Sequence, residues 1–470
     1  MKFTEFIQQN VVPTANRIAS NKFLKAISDG FMALMPVIII GAIFSLLNSL
    51  AIAPYQNFIT ATGLKPILSL PNMVTNDILA LYAVIFIAYH LAKYYEKDPA
   101  TAGMIALFTF LAVTPLANTA DIINKFLAGN NLTLANDIVV PAGNVIPYEW
   151  IGAKGLFVAI IIGLVSTVVY NKLLDKGLAI KMPEGVPPTI AKSFGGLIPG
   201  FVIIILFMAV NKVVTFLPNI TGLHSVIYTF IQGPMELLLG NSLGSFLVAI
   251  LVAQLLWFFG IHGVTAVILP IFYPLWTSLT TANIAALNAG VSVFELPNII
   301  NRTFFSIYAI TGGSGMTLGL CLYMVLWSKS KQYQTLGKLA LPANICGINE
   351  PVLFATPVVL NPYMLIPWIL TPVVSAVLAY GLTVMNILPR LSTVVPLGTP
   401  VIMSGFLAGG VAGWRVALFQ IAMIIIGAVI YIPFFKVIDK KAYENEKQAY
   451  GDVTSSELEL LNHSHKSGIN

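Results

Sequence analysis

The sequence predicts an all-α polytopic membrane protein, and three observations carry that reading. Of 470 residues, 57% are hydrophobic and only 9% charged, whereas a soluble domain carries about 25% charged residues. One water-soluble core cannot hide so much apolar side chain, so the surplus must face lipid. The apolar residues are also grouped, in blocks at 31–50, 79–91, 156–170, 201–210, 246–259, 363–379 and 416–434. Several blocks reach the roughly 20 residues a helix needs to cross the hydrocarbon core, once flanking small residues are included. Finally, the strand-type alternation of a membrane barrel is absent.

Taken in order, residues 1–25 mix Lys2, Glu5, Arg17, Lys22 and Lys25 with apolar residues and lack the unbroken apolar stretch of a cleavable signal. Phe3, Phe6, Ile7 and Asn10 follow helical spacing, which predicts an amphipathic segment on the cytoplasmic surface. Residues 26–180 form a first helical domain. Within it, the polar stretch 118–150 predicts a small extracytoplasmic hairpin around Asn130 and Asn131. The segment 181–192, KMPEGVPPTIAK, packs three prolines and a glycine between apolar halves; such loops stay extended, and it reads as a cytoplasmic connector. A second helical domain spans 193–440, and 441–470 reads as a loosely ordered cytoplasmic tail. Lysine and arginine concentrate in cytoplasmic loops. Their clusters at 2–25, 172–192, 329–338 and 436–447 place both termini inside. Arg390 and Arg415 flank a weakly apolar stretch and fit this pattern poorly.

The second half breaks the membrane rules in a few places. From 193 to 435 the only acidic residues are Glu236, Glu295 and Glu350. An acidic side chain at membrane depth costs about 2.5–3.5 kcal/mol and usually faces a pathway. Glu350 lies in an apolar stretch broken by Gly347, Pro351, Pro357 and Pro362. Proline interrupts a helix, and irregular backbone is tolerated at depth only inside protein or beside water. A re-entrant segment with its tip at Asn349-Glu350-Pro351 meets that constraint; the plainer alternative is an interfacial turn with Glu350 in solvent. A carboxylate beside an amide matches the mixed donors and acceptors of sugar hydroxyls. His262 sits between Gly260 and Gly263, and Trp257 offers a flat face for a sugar ring. The two share a helical face only if the helix unwinds at Gly260. The plainer reading of His262 is a buried hydrogen-bond partner.

Other candidates read as structural. Glu149 sits at a block edge beside aromatics, and Glu236 on an interfacial segment. Glu295 and Arg302 could pair if their stretch is helical. His90 and His224 lie near loop edges, where water suffices. The run TGGSGMTLG at 311–319 lacks the following Lys-Ser/Thr of a phosphate loop, so close packing is favoured. Cys321 and Cys346 provide neither a disulfide framework nor metal spacing, and no cofactor or metal is expected. Lysines form no basic stripe on a soluble face, which excludes nucleic-acid binding.

Four motifs then stand out: MPEGVPPTIAKSFGGLIPG at 182–200, LLWFFGIHG at 255–263, TANIAAL at 281–287 and INEPVLFATPVVLNP at 348–362. With them the chain, over residues 3–440, resembles the membrane (IIC) subunits of the lactose/cellobiose/diacetylchitobiose branch of the bacterial phosphoenolpyruvate-dependent sugar phosphotransferase system. The resemblance implies a homodimer in the bacterial plasma membrane. Each protomer would have about ten transmembrane helices and two re-entrant hairpins, with the first domain dimerising and the second holding one sugar. By matching position, Glu350 and His262 bind the disaccharide, Asn349 shares the Glu350 tip, and Trp257 meets the sugar ring. It also implies import with phosphorylation at a 6-hydroxyl by a cysteine of a separate IIB protein, itself served by IIA; Glu350 would hold, or deprotonate, that hydroxyl. Cys346-Gly347-Ile348 and Ala355-Thr356 depart from the family pattern at positions that bear on sugar preference. The rival expectation is a proton-coupled secondary transporter using Glu350 and His262.

Overall fold

The structure is a computed structural model and describes residues 17, 20–49, 52–129, 143–180, 182–183, 185–240, 242–356 and 358–466. The expected surface helix at Phe3–Asn10 and the expected turn at Asn130 and Asn131 lie outside the described residues. Helix dominates. Among the described residues, strand is confined to Ala117–Asn118 and Asn144–Val145, an antiparallel pair with Ala117 opposite Val145. Among the described residues, six helices are long and apolar enough to cross a membrane, and up to nine if each of three bent pairs counts as one span. The sharpest bend, 87°, separates Leu223–Gly240 from Leu243–Phe258.

The chain packs into two compact units. The first comprises Met1–Ala249, Ile261–Thr303 and Leu391–Pro396; the second comprises Ile250–Gly260, Phe304–Arg390 and Leu397–Asn470. The first unit thus reaches past the proline-rich segment to Ala249 and resumes at Ile261–Thr303, inside the sequence segment 193–440. The physical reason lies in the first helix after the connector, Leu197–Val214, which packs back on Pro99–Val113 and Leu156–Asp175.

In the first unit the central helix is Leu79–Tyr94. Ala80, Ala83, Val84, Ile87, Ala88 and Leu91 recur at helical spacing and are wholly buried. Small residues let membrane helices approach closely, which is what holds them together where lipid is as apolar as leucine. Gly30 of helix Lys22–Ala33 shows the closeness, since a Cβ there would lie 2.8 Å from Ile87 Cγ1. Two helix starts are capped: Asn21 Oδ1 accepts from Phe23 N at 2.9 Å, and Asp98 Oδ2 from Thr101 N at 2.9 Å. His224 departs from expectation. It is fully buried, its ring edge-on to Phe110 at 5.0 Å and to Trp150 at 5.7 Å.

Helix Leu318–Trp327 is the hub of the second unit, against Lys331–Ile345 and the last helix, Gly413–Lys466. Buried Cys321 donates from Sγ to Gly337 O at 3.4 Å. Gln420 holds a loop from inside the last helix: Oε1 accepts from Ile402 N at 2.8 Å and Gly405 N at 3.1 Å, while Nε2 donates to Ile307 O at 3.1 Å. Arg415, which fits the charge rule poorly, donates to Asn386 O at 3.3 Å and Ile387 O at 3.0 Å, just past the end of helix Pro362–Val384, where a cation favours the free carbonyls.

The last helix continues to Lys466, where the sequence predicts a loosely ordered tail. No proline interrupts it after Pro433, and two carboxylates anchor it as far as Glu446. Asp439 accepts from Ser328 Oγ, from Lys329 N at 2.9 Å and from Ser330 N at 3.1 Å. Glu446 accepts from Ser330 Oγ at 2.6 Å, Gln332 N at 2.9 Å and Lys331 N at 3.0 Å. These are the free N–H groups at the start of helix Lys331–Ile345, capped from another helix.

Candidate functional site

The helix carrying Trp257 ends at Phe258. Gly260 adopts φ +79°, a conformation glycine takes without penalty, and helical turns resume at Gly263. The unwinding that the Trp257–His262 spacing requires is present. Trp257 belongs to the second unit and His262 to the first. His262 is exposed. Its Nδ1 accepts from Thr265 N at 3.2 Å and its carbonyl accepts from Thr265 Oγ1 at 2.9 Å. An accepting Nδ1 leaves the ring proton on Nε2.

Trp257 is 3% exposed, and its ring meets Trp368 edge-on at 6.4 Å. Trp368 in turn donates from Nε1 to Gln254 O at 3.2 Å. The sequence offers Trp257 as an open face for a sugar ring; here that face is packed in the core.

Helix Lys331–Ile345 stops at a turn over Cys346–Asn349, and the six-residue helix Glu350–Ala355 follows. Pro351 lies in its first turn, where the missing N–H is not needed. The turn therefore precedes Glu350, and the carboxylate sits at a helix start. Glu350 is half-buried, and its Oε2 is buried with no hydrogen-bond partner among the described residues. Six residues on, Thr356 is wholly buried and its Oγ1 is likewise without a partner. An unmet buried polar atom costs about 1–3 kcal/mol, so two within one short helix and its cap ask for an explanation.

Asn349 is held differently. It is 3% exposed and donates from Nδ2 to Ser314 O. Ser314 lies in the glycine-rich run, whose role is now visible. A Cβ on Gly313 would collide with the Asn349 side chain, and one on Gly315 with the Trp368 indole. Gly313 has φ +90° and ψ +175°, a region essentially reserved to glycine. Tyr431 Oη donates to Gly315 O at 2.7 Å and Asn344 Nδ2 to Thr317 Oγ1 at 3.0 Å. The run is a packing cradle that fixes the turn before Glu350.

Sequence reasoning marked Thr356 only as a departure from the family pattern, and missed Asn344 and Gln254. Asn344 Oδ1 and Gln254 Oε1 are also buried without partners. Gln254 carried a signal, as the only amide in the apolar block 246–259. The remaining acidic residues are accounted for locally. Glu236 Oε1 accepts from Ser278 Oγ at 2.7 Å and Gln232 Nε2 at 2.9 Å, and Glu149 pairs with Lys154. The expected Glu295–Arg302 pair is replaced by Arg302 lying over the Tyr273 ring at 4.6 Å. The stretch from Gly290 to Asn301 is not helical, so seven residues do not make two turns.

Helices long and apolar enough to cross a membrane, with a buried carboxylate oxygen and a buried hydroxyl that lack partners among the described residues, fit a membrane protein that handles a polar solute. Comparison with known proteins makes this specific. Residues 28–372 match the family described as "Phosphotransferase system, EIIC". The lichenan permease IIC component of Bacillus subtilis (strain 168) is 39% identical over 95% of each chain. The cellobiose-specific EIIC component of Geobacillus stearothermophilus is 35% identical over 95% of this chain and 96% of that one. The crystal structure of the transporter ChbC, the IIC component of an N,N'-diacetylchitobiose-specific phosphotransferase system, superposes with a TM-score of 0.84 at 34% identity, covering 94% of this chain and 99% of that one. The chain belongs to the EIIC family of the phosphotransferase system, and is a multi-pass sugar permease subunit of the plasma membrane. Membership in that family does not favour the proton-coupled alternative.

Proposed function

We propose that this chain imports a β-linked disaccharide of the cellobiose, diacetylchitobiose or lactose type and presents its 6-hydroxyl to a separate IIB subunit, which IIA recharges. The observation that carries the reading is the partnerless Oε2 of Glu350, an acceptor suited to a sugar hydroxyl. The names of the similar proteins, for lichenan, cellobiose and diacetylchitobiose, give the substrate class. Glu350, Asn349, Trp257 and His262 are the proposed sugar-binding residues, with Trp257 having to turn from its packing against Trp368 to meet a sugar ring and Glu350 additionally holding or deprotonating the accepting hydroxyl. The burial of Asn349 against Ser314 favours a part in shaping the turn as well.

In this reading each protomer has about ten transmembrane helices and two re-entrant hairpins, with both termini cytoplasmic. Residues 26–180 dimerise, and residues 193–440 carry the sugar across. Glu350→Gln keeps the shape and removes the charge. Phosphorylation in membranes supplied with IIB is expected to disappear while some sugar binding remains. Normal turnover by this variant rules out the base role, and unchanged affinity removes Glu350 from the site.

A further inference from the structure

The first unit contains a groove of about 420 Å³ between helices Pro99–Val113 and Leu197–Val214. One wall is the face Ala100, Met104 and Phe108; the other is set back by Gly196 and Gly200 and flanked by Phe201. Met104, Phe108 and Phe201 are 51%, 42% and 66% exposed, so the groove opens sideways toward the apolar surroundings. Gly196 to Ile204 spans about 12 Å at the helical rise. A slot that long and one missing side chain deep suits an unbranched hydrocarbon chain.

Its depth in the membrane is marked by the short helix Pro188–Gly195 that leads into it. Ile190 and Phe194, one turn apart, are 46% and 42% exposed, the pattern of a helix lying in the headgroup layer. Lys192 is on this same turn, with 63% of its side chain exposed. It forms a long ion pair with Asp98 Oδ1 at 4.0 Å, while Asp98 Oδ2 accepts from Thr101 N at 2.9 Å. Lys97 nearby is tied to Asp175 at 2.6 Å. Lys192 is thus an exposed cation with one long ion pair near the Asp98 end of the apolar slot, on the side that the lysine distribution makes cytoplasmic. Basic residues between transmembrane helices on that side bind anionic headgroups.

We propose that this groove holds one anionic phospholipid of the cytoplasmic leaflet, with an acyl chain along Gly196 and Gly200 and its headgroup phosphate at Lys192. The charge complementarity at Lys192 favours an anionic lipid over a second copy of the protein. Native mass spectrometry of the full chain in detergent, with palmitoyl-oleoyl phosphatidylglycerol or phosphatidylcholine added, tests this. The wild type is expected to retain the glycerol lipid preferentially. Lys192→Gln should lower that retention about fivefold and leave the choline lipid unchanged, while Lys192→Arg keeps it. Gly200→Leu, which fills the slot, should lower both lipids. Retention of phosphatidylglycerol at the wild-type level in both Lys192→Gln and Gly200→Leu overturns the proposal. So does a shift in oligomeric state in Gly200→Leu with lipid binding intact, which assigns the groove to a second copy.

Discussion

Glu350 begins a six-residue helix with one carboxylate oxygen buried and unmet, and the residues around it hold that arrangement rather than relieve it. Gly313 is the clearest support, because its backbone is glycine-only and a Cβ would strike Asn349. Gly313→Ala is expected to cost about 1–3 kcal/mol from backbone strain alone, visible as a lower melting temperature in detergent, and to weaken disaccharide binding in calorimetry. Unchanged binding at reduced stability would show that the turn tolerates displacement. Thr356→Val separates the fold from the ligand in the opposite direction. Its hydroxyl oxygen has no protein partner, so stability should hold or rise, while affinity falls by about 0.5–1.5 kcal/mol if the sugar uses it. At this scale Glu350 and His262 stand out in the sequence as ionisable groups in apolar surroundings, and their part in binding sugar is the proposal. The holding role of Asn349 is not legible there: its partner Ser314 lies 35 residues away, and no local pattern reports such a contact. The packed face of Trp257 was hidden for the same reason, because Trp368 closes it from a distant helix.

Among elements, the junction between the last helix and the start of helix Lys331–Ile345 is the most instructive. Asp439, 4% exposed, serves two backbone N–H groups and a hydroxyl across about 110 residues of sequence. Asp439→Ala strands those buried donors and is expected to destabilise by about 1–3 kcal/mol for each left unmet, with Asp439→Asn milder because an amide oxygen still accepts. Thermal unfolding in detergent reads the difference; equal melting temperatures for Ala and wild type would show the junction to be idle. Apolar helices were readable from composition and periodicity, and so was the break at Gly260. The polar continuation of the last helix was not, because its anchors are supplied by another element. Likewise Arg415 looked misplaced by loop-charge counting, whereas it satisfies carbonyls at Asn386 and Ile387.

For the molecule as a whole, lipid exposure and family were written in the sequence, but the packing boundary was not. The prolines at 181–192 suggest a division there; helix Leu197–Val214 returns onto earlier helices, and the first compact unit takes in residues up to Ala249 and again Ile261–Thr303, while the functional division at 181–192 stays a proposal. The proposed homodimer is expected to appear as twice the protomer mass in light scattering of detergent-purified protein, corrected for bound detergent; a protomer mass at working concentration contradicts it. The central claim, that sugar crosses with its own phosphorylation, is tested most directly by the chemical form in which a labelled disaccharide arrives. Vesicles containing this chain, IIB and IIA, with phosphoenolpyruvate and the general phosphotransfer proteins inside, are expected to accumulate disaccharide 6-phosphate and to lose uptake when IIB is withheld. Accumulation of unmodified disaccharide that persists without IIB and collapses with an uncoupler would contradict the account.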